Sequence, residues 1–336
     1  MRIGNYGYDT RLFTTDEDAR FWVMNREVSQ KYFTISQNAT VGNIETFYKK
    51  KPEGTIRFFV LGASSAIGFP YMHNGAFPRM LKYKLQFLFP QNNIEIINIS
   101  LTAINTYTLY DFSKQLVNYQ PDGILIYAGH NEYYGALGVA SSSRIGRDHR
   151  LIQFMIAAKE LKLVQGLTRL IEKVRPGNSS LSDQDLTLME RMAAHQMIPY
   201  NSDAYIAGIE QFERNLGQML RLFQKHHIPV FIGTLAGNQK DQTPLNKENS
   251  PFYNAQDEYL KGEEAYIQEQ YDESLLHYTQ AKEYDQLRFR APEAFNRIIQ
   301  RYGEEYDNVH VVDVYKKFAD YSPHGLIGKE LILEHV

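Results

Sequence analysis

Three short apolar runs, separated by helix-length segments, decide most of what this chain can fold into. They are Phe58–Leu61, Ile94–Ile99 and Gly123–Tyr127. Each is rich in β-branched or aromatic residues, and the third is apolar throughout, as strands covered on both faces are. A helix is expected over Tyr71–Phe89, where FPRMLKYKLQFLF spaces its apolar residues three and four apart and Pro90 stops it. A second is expected over Tyr107–Tyr119, with Leu109, Phe112, Leu116 and Val117 on one face and Pro121 beyond its end. Strand, helix, strand, helix, strand is the pattern of a doubly wound parallel sheet. Pro229–Leu235 and His310–Val314 read as a fourth and a fifth strand. The expected fold class is therefore α/β: a three-layer, flavodoxin-like doubly wound parallel sheet with helical insertions.

The remaining segments are read as additions to that sheet. Residues 1–55 have no strong period, hold one short strand candidate at Phe21–Met24, and are expected to form an arm on a main domain spanning 56–336. About a hundred residues separate the third and fourth strands, far more than one crossover helix needs. They contain helical patterns over His149–Val174, Gln184–Met197 and Ala204–Lys225, and a helical cap is expected over about 138–200. The spacing of Gly262, Ala265, Tyr271, Ser274, Tyr278 and Ala281 within Tyr259–Glu283 resembles one tetratricopeptide hairpin. Solenoids need several repeats, so a single helical-hairpin insertion over about 255–290 is expected, offering a surface to a protein partner.

Composition closes off several classes of function. The net charge is -3 and there is no basic arm, which argues against nucleic acid as a partner. There is no cysteine, so disulfides, zinc–thiolate sites and cysteine nucleophiles are excluded. The ten histidines show no pairing with carboxylates at metal-ligand spacing, so no metal is expected. No apolar run is long enough to span a bilayer, and Arg2–Phe13 already reads like mid-protein sequence. A leader or membrane anchor would then lie outside these residues, and the bacterial envelope is favoured over the cytoplasm.

In a parallel sheet the loops after successive strands open on one edge, where ligands bind. That edge would gather Ser64, the turn Ser100–Asn105, and Gly129-His130-Asn131-Glu132. Ser64 follows Gly62-Ala63 directly after the first strand and reads either as a helix cap or as a displayed nucleophile. A hydroxyl nucleophile needs donors for the developing oxyanion. The Asn131 side-chain amide and the backbone N–H groups of Ser64 and Ser100 could supply three.

These blocks resemble those of the SGNH/GDSL hydrolases from about Arg57 to the end of the chain. Gly62-Ala63-Ser64 matches their strand–Gly-X-Ser block, Asn98-Ile99-Ser100 stands at the second, and Gly129-His130-Asn131-Glu132 matches Gly-X-Asn-(Asp/Glu). The terminal LILEHV begins to match their Asp-X-X-His block at Glu334. The resemblance implies hydrolysis of an ester, or acyl transfer, with Ser64 as nucleophile and no metal or cofactor. It implies an oxyanion hole from Ser64, Ser100 and Asn131, with His130 and Glu132 lining the substrate cleft. It also implies a C-terminal histidine base oriented by Glu334. Three positions depart from the pattern: Ala63 replaces an acid, Ser100 a glycine, and Glu334 an aspartate. The histidine position itself would be 337, so the natural protein is expected to continue there. His335 is the terminal histidine these residues offer, and His324 is a further alternative. The substrate would be a small-molecule or glycan ester. A carbohydrate O-acyl group is one reading of the many aromatic residues.

Two other readings compete. GASSAIG with Tyr110 and Lys114 resembles the nucleotide loop and Tyr-X-X-X-Lys of NAD(P)-dependent short-chain dehydrogenases. The tyrosine falls after the wrong strand, and the second strand lacks the acidic ribose-binding residue. The altered blocks also fit a binding or scaffold protein built on a hydrolase fold.

Overall fold

The computed structural model describes residues 7–33, 38–140, 148–174, 196–245 and 253–336. Its centre is a five-stranded, all-parallel sheet of β4 (Thr55–Gly62), β5 (Asn93–Asn98), β6 (Gly123–Tyr127), β7 (Val230–Gly233) and β8 (Val309–Val312). The strand order is β5-β4-β6-β7-β8. Counted within this sheet the order is 2-1-3-4-5, the flavodoxin-like arrangement expected from the sequence, and it reverses direction at β4.

Alternation along each strand separates the two faces. Phe59, Leu61, Ile97, Ile124, Ile126, Val230 and Ile232 enter one large core. That core is closed by α4 (Thr106–Leu116), α7 (Asp203–Lys225) and α10 (Glu293–Glu305), whose Phe112, Phe212, Phe223 and Phe295 are fully buried. Val60, Ile94 and Ile96 face the other way, against Leu81 and Leu85 of α3 (Phe77–Leu88). At the β8 edge α11 (Val314–Tyr321) packs with Ala236, Ile327 and Ile332. Between α3 and α11 this second face stays open. Phe58, Leu125, Tyr127, Phe231 and Val312 line an apolar groove of about 950 Å³ there.

The helix expected over Tyr71–Phe89 is broken. A four-residue turn of helix, α1 (Ser64–Ile67), is followed by α2 (Met72–Gly75) and, after extended Ala76, by α3. Pro78 is the reason: it fits the first turn of a helix and not an interior.

The arm carries a three-stranded antiparallel meander of β1 (Phe13–Thr15), β2 (Phe21–Met24) and β3 (Thr46–Tyr48). Phe13 and Phe47 meet edge to face at 4.9 Å, and Phe47 meets Phe59 of β4 at 5.4 Å. Fully buried Lys31 donates to Asp111 (2.8 Å) and Glu160 (2.7 Å), and the Tyr32 hydroxyl donates to the same Asp111 carboxylate (2.7 Å). The arm is thus fastened to both α4 and the cap.

In the cap region α5 (His149–Ala158) and α6 (Lys162–Val174) form as expected. The helix expected over Gln184–Met197 lies outside the described residues, apart from its irregular last two. The expected hairpin is α8 (Ala255–Ile267) and α9 (Tyr271–Tyr284), closed by Tyr259 against Tyr278 at 5.3 Å. Among the described residues no helix is long and apolar enough to cross a membrane.

Candidate active site

The turn after β4 is built around Gly62. A Cβ there would lie 2.3 Å from Ala66 Cβ and 2.7 Å from the Tyr127 carbonyl oxygen, so only glycine lets the chain fold back. Ala63 caps α1 without a side-chain bond, and Ser64 is the first helical residue. The capping role is therefore not what Ser64 does. Its hydroxyl makes no hydrogen bond to the described residues. Its backbone N–H, as the first in the helix, has no acceptor within the helix.

The turn after β5 closes against this one. Asn98 Nδ2 donates to the Ala66 carbonyl (2.8 Å), and Ser100 Oγ lies beside Gly62, 3.2 Å from where a Cβ would stand. Ser100 N–H is engaged, donating to Asn98 Oδ1 at 3.2 Å. It is an oxyanion donor only if that local bond gives way. Asn98 opens the second sequence block, where no role was expected of its side chain.

The loop after β6 completes the edge. Gly129 has a φ of 156° that other residues rarely adopt, and an added Cβ would stand 2.3 Å from Leu235 Cδ1. Asn131 and His130 are 6% and 5% exposed. Asn131 Nδ2, His130 Nε2 and Ser100 Oγ are all buried without a hydrogen-bond partner among the described residues. His130 Nδ1 accepts the Ala291 N–H at 3.2 Å. Burial pushes the His130 imidazole down to about 3, with His335 and Lys282 adding to the shift. It is a neutral ring whose free nitrogen carries the proton.

Glu132 does not line the cleft. It is 1% exposed and turned inward, accepting from the Thr106 N–H (3.1 Å), the Thr106 hydroxyl and Gln211 Nε2 (2.6 Å). Asn215 Nδ2 in turn donates to the Thr106 hydroxyl at 2.9 Å. An acid at the fourth position of this loop staples it to α4 and α7. Burial nevertheless pushes its carboxyl up to about 7.

The C-terminal segment reaches the same edge from β8's side. The His335 carbonyl accepts from Asn238 N–H (3.0 Å), and Asn238 Nδ2 donates to the Ile332 carbonyl (2.9 Å). The His335 ring faces Phe289 at 5.9 Å, whereas Glu334 and Val336 line the open groove. Neighbours in an extended chain point to opposite sides, and no hydrogen bond joins Glu334 to His335 among the described residues. The expected carboxylate–imidazole pair is therefore not closed. Burial lowers the His335 pKa, Glu334 partly opposes that, and Arg290 adds to it. His324 is elsewhere, stacked at 3.6 Å on Tyr271 of the hairpin.

The segment Asp285–Ala291 is a fourth contributor that the sequence did not reveal. Gln286 O accepts from the Tyr134 hydroxyl (3.1 Å), Phe289 meets His335, Arg290 pairs with Asp285 (3.2 Å), and Ala291 holds His130. No group of three or more potential ligands for a metal ion occurs among the described residues. Tyr110 and Lys114 of the dehydrogenase reading lie along α4, where Lys114 Nζ sits over the Tyr110 ring at 4.4 Å and donates to Gln153. The strand order also differs from the 3-2-1-4-5-6 order of that class.

No model of a known family matches the chain, and no curated protein matches it. Among solved structures the chain is similar to AlinE4, described as an SGNH-hydrolase family esterase: 14% identity, TM-score 0.38, covering 85% of this chain and 87% of that one. It is similar to a GDSL-like lipase from Bacteroides thetaiotaomicron at 11% identity and TM-score 0.35, covering 81% and 79% of the two chains. A lipase/acylhydrolase from Enterococcus faecalis shares 14% identity at TM-score 0.35, over 82% of this chain and 89% of that one.

Proposed function

We propose that the protein is a serine ester hydrolase with Ser64 as nucleophile. The observation that supports this reading is that the loops after β5 and β6, the strands on either side of β4 and its unengaged Ser64, hold buried polar groups without partners among the described residues: Ser100 Oγ, His130 Nε2 and Asn131 Nδ2. Unsatisfied buried donors cost about 1–3 kcal/mol each, so a fold retains several together where a ligand will use them.

In the reaction, Ser64 Oγ attacks the ester carbonyl carbon and its proton passes to neutral His335. The carbonyl oxygen gains charge and is received by Asn131 Nδ2 and the Ser64 N–H, with Ser100 N–H joining if Asn98 releases it. Collapse breaks the bond to the alkoxy oxygen, which takes the proton from His335. Water then attacks the acyl-serine by the reverse sequence, with His335 again as base. Glu334 contributes negative charge beside the imidazolium. His130 cannot serve as the base, since its ring stays neutral with the proton on Nε2. It acts as a fixed donor toward substrate oxygen.

The test is fluorophosphonate labelling with hydrolysis of a short-chain aryl ester. Labelling is expected on Ser64, and Ser64→Ala is expected to lose both label and turnover while keeping its melting temperature. Wild-type turnover in a folded Ser64→Ala protein would refute the assignment. Absence of label and turnover in the wild type would favour a binding protein on the same fold.

A further inference from the structure

α3 is apolar on two sides. Leu81 and Leu85 face β5, and Met80, Tyr83 and Phe87 form an outward stripe at spacings of three and four, with Phe87 84% exposed. A helix that needed only to cover the sheet would carry polar residues there. Phe69 and Tyr71 extend the exposed apolar surface toward the turn that holds Ser64. The charge carried by α3 itself has one sign, and Glu45 of the arm is an acid that the helix's Arg79 and Lys82 face. No acidic residue occurs between Glu53 and Glu95, while α3 carries Arg79, Lys82 and Lys84, in a chain whose net charge is -3. None of these three cations is in an ion pair among the described residues, and Arg79 lies over the Tyr83 ring at 5.1 Å.

We propose that this face docks on an anionic lipid surface, with Met80, Tyr83 and Phe87 entering the interface and Arg79, Lys82 and Lys84 meeting its headgroups. Exposed aromatic and aliphatic side chains flanked by long cationic ones are the features by which a helix lies in a membrane interface. A second copy of the chain is disfavoured, because two such faces would bring like charges together. The apolar groove adjoins this face. Its lining runs from Phe77, Leu81 and Leu85 of α3, across the uncovered strands, to Ser65 beside Ser64. A lipid acyl chain drawn from the surface would find an apolar path to the serine. That last step rests on the esterase reading, whereas the docking does not.

The experiment is co-sedimentation of the full chain with vesicles of phosphatidylcholine alone and of phosphatidylcholine mixed with phosphatidylserine. Wild-type and Ser64→Ala proteins should both pellet with the mixed vesicles, and less so as salt is raised. The double variant Met80→Glu/Phe87→Glu should lose roughly tenfold or more of its partitioning, since each side chain would give up its apolar burial. It should keep wild-type melting and wild-type turnover of a soluble aryl ester, because both positions are exposed and away from the serine. The proposal is overturned if the wild type does not pellet with mixed vesicles, or if the double variant binds as the wild type does. It is equally overturned if the only loss in the variant is of a concentration-dependent dimer. Loss of esterase activity in Ser64→Ala without any vesicle binding would leave the hydrolase reading standing and remove this one.

Discussion

The backbone N–H of Ala291 donates to Nδ1 of His130 across 161 residues of sequence. That single bond fixes a tautomer. A ring nitrogen that accepts a hydrogen bond carries no proton, so the neutral imidazole holds its proton on Nε2. Burial keeps the ring neutral down to about pH 3. Long-range nitrogen–proton NMR of selectively labelled histidine should show His130 as the Nε2–H tautomer, unchanged between pH 8 and 5. A titration of this ring near pH 6.5 would show that the bond or the burial is wrong.

Asn131 offers the donor best matched to an oxyanion, a buried side-chain amide with no other partner among the described residues. Asn131→Ala is expected to lower kcat by about two to three orders of magnitude, the usual loss for one such donor, with little change in KM. Unchanged kcat with a raised KM would place Asn131 in ground-state binding.

The first three strands of the sheet were legible because they are short, apolar and separated by single helix-length segments. Phe58–Leu61, Ile94–Ile99 and Gly123–Tyr127 all appear as strands, and their order places the three loops together. What could not be read was the direction in which individual side chains turn. Glu132 looked like a cleft residue because its loop is; its carboxyl finds better donors in Thr106 and Gln211 behind the loop. Ser100 N–H looked free because a turn leaves amides unpaired, yet Asn98, two residues earlier, accepts from it. The 285–291 segment has no motif, and its role comes wholly from long-range contacts such as Tyr134 to Gln286. Sequence spacing is silent about such pairs.

Glu132 makes stability depend on pH in a definite direction. Its folded-state pKa is raised from 4.5 to about 7, chiefly by burial. Its contribution is therefore fully present below pH 4.5 and is lost as pH rises through 7. The loss is on the order of 3 kcal/mol, from the size of the shift. Glu132→Gln keeps a neutral group that can still accept from Thr106. Denaturant unfolding at pH 5.5 and 8.5 should show the wild type losing more stability than Glu132→Gln over that interval. Equal losses would mean that Glu132 titrates near its ordinary value.

The last prediction concerns the base. As the proposed base for Ser64, His335 has to be neutral to act, so kcat/KM should rise with pH through the His335 pKa and then level off. Burial and Arg290 hold that pKa below the ordinary 6.5, while Glu334 pulls it upward. The acid limb of the profile should then fall at an apparent pKa below 6.5. Glu334→Gln removes the opposing charge and should move the limb further toward acid, without the large loss of kcat that follows when a hydrogen-bonded partner of a catalytic histidine is removed. The reason is geometric: Glu334 lines the groove and makes no bond to the ring it faces away from. His335→Ala should remove nearly all turnover. If His335→Ala retains wild-type kcat, or if Glu334→Gln moves the limb toward alkaline pH, the base is a different residue.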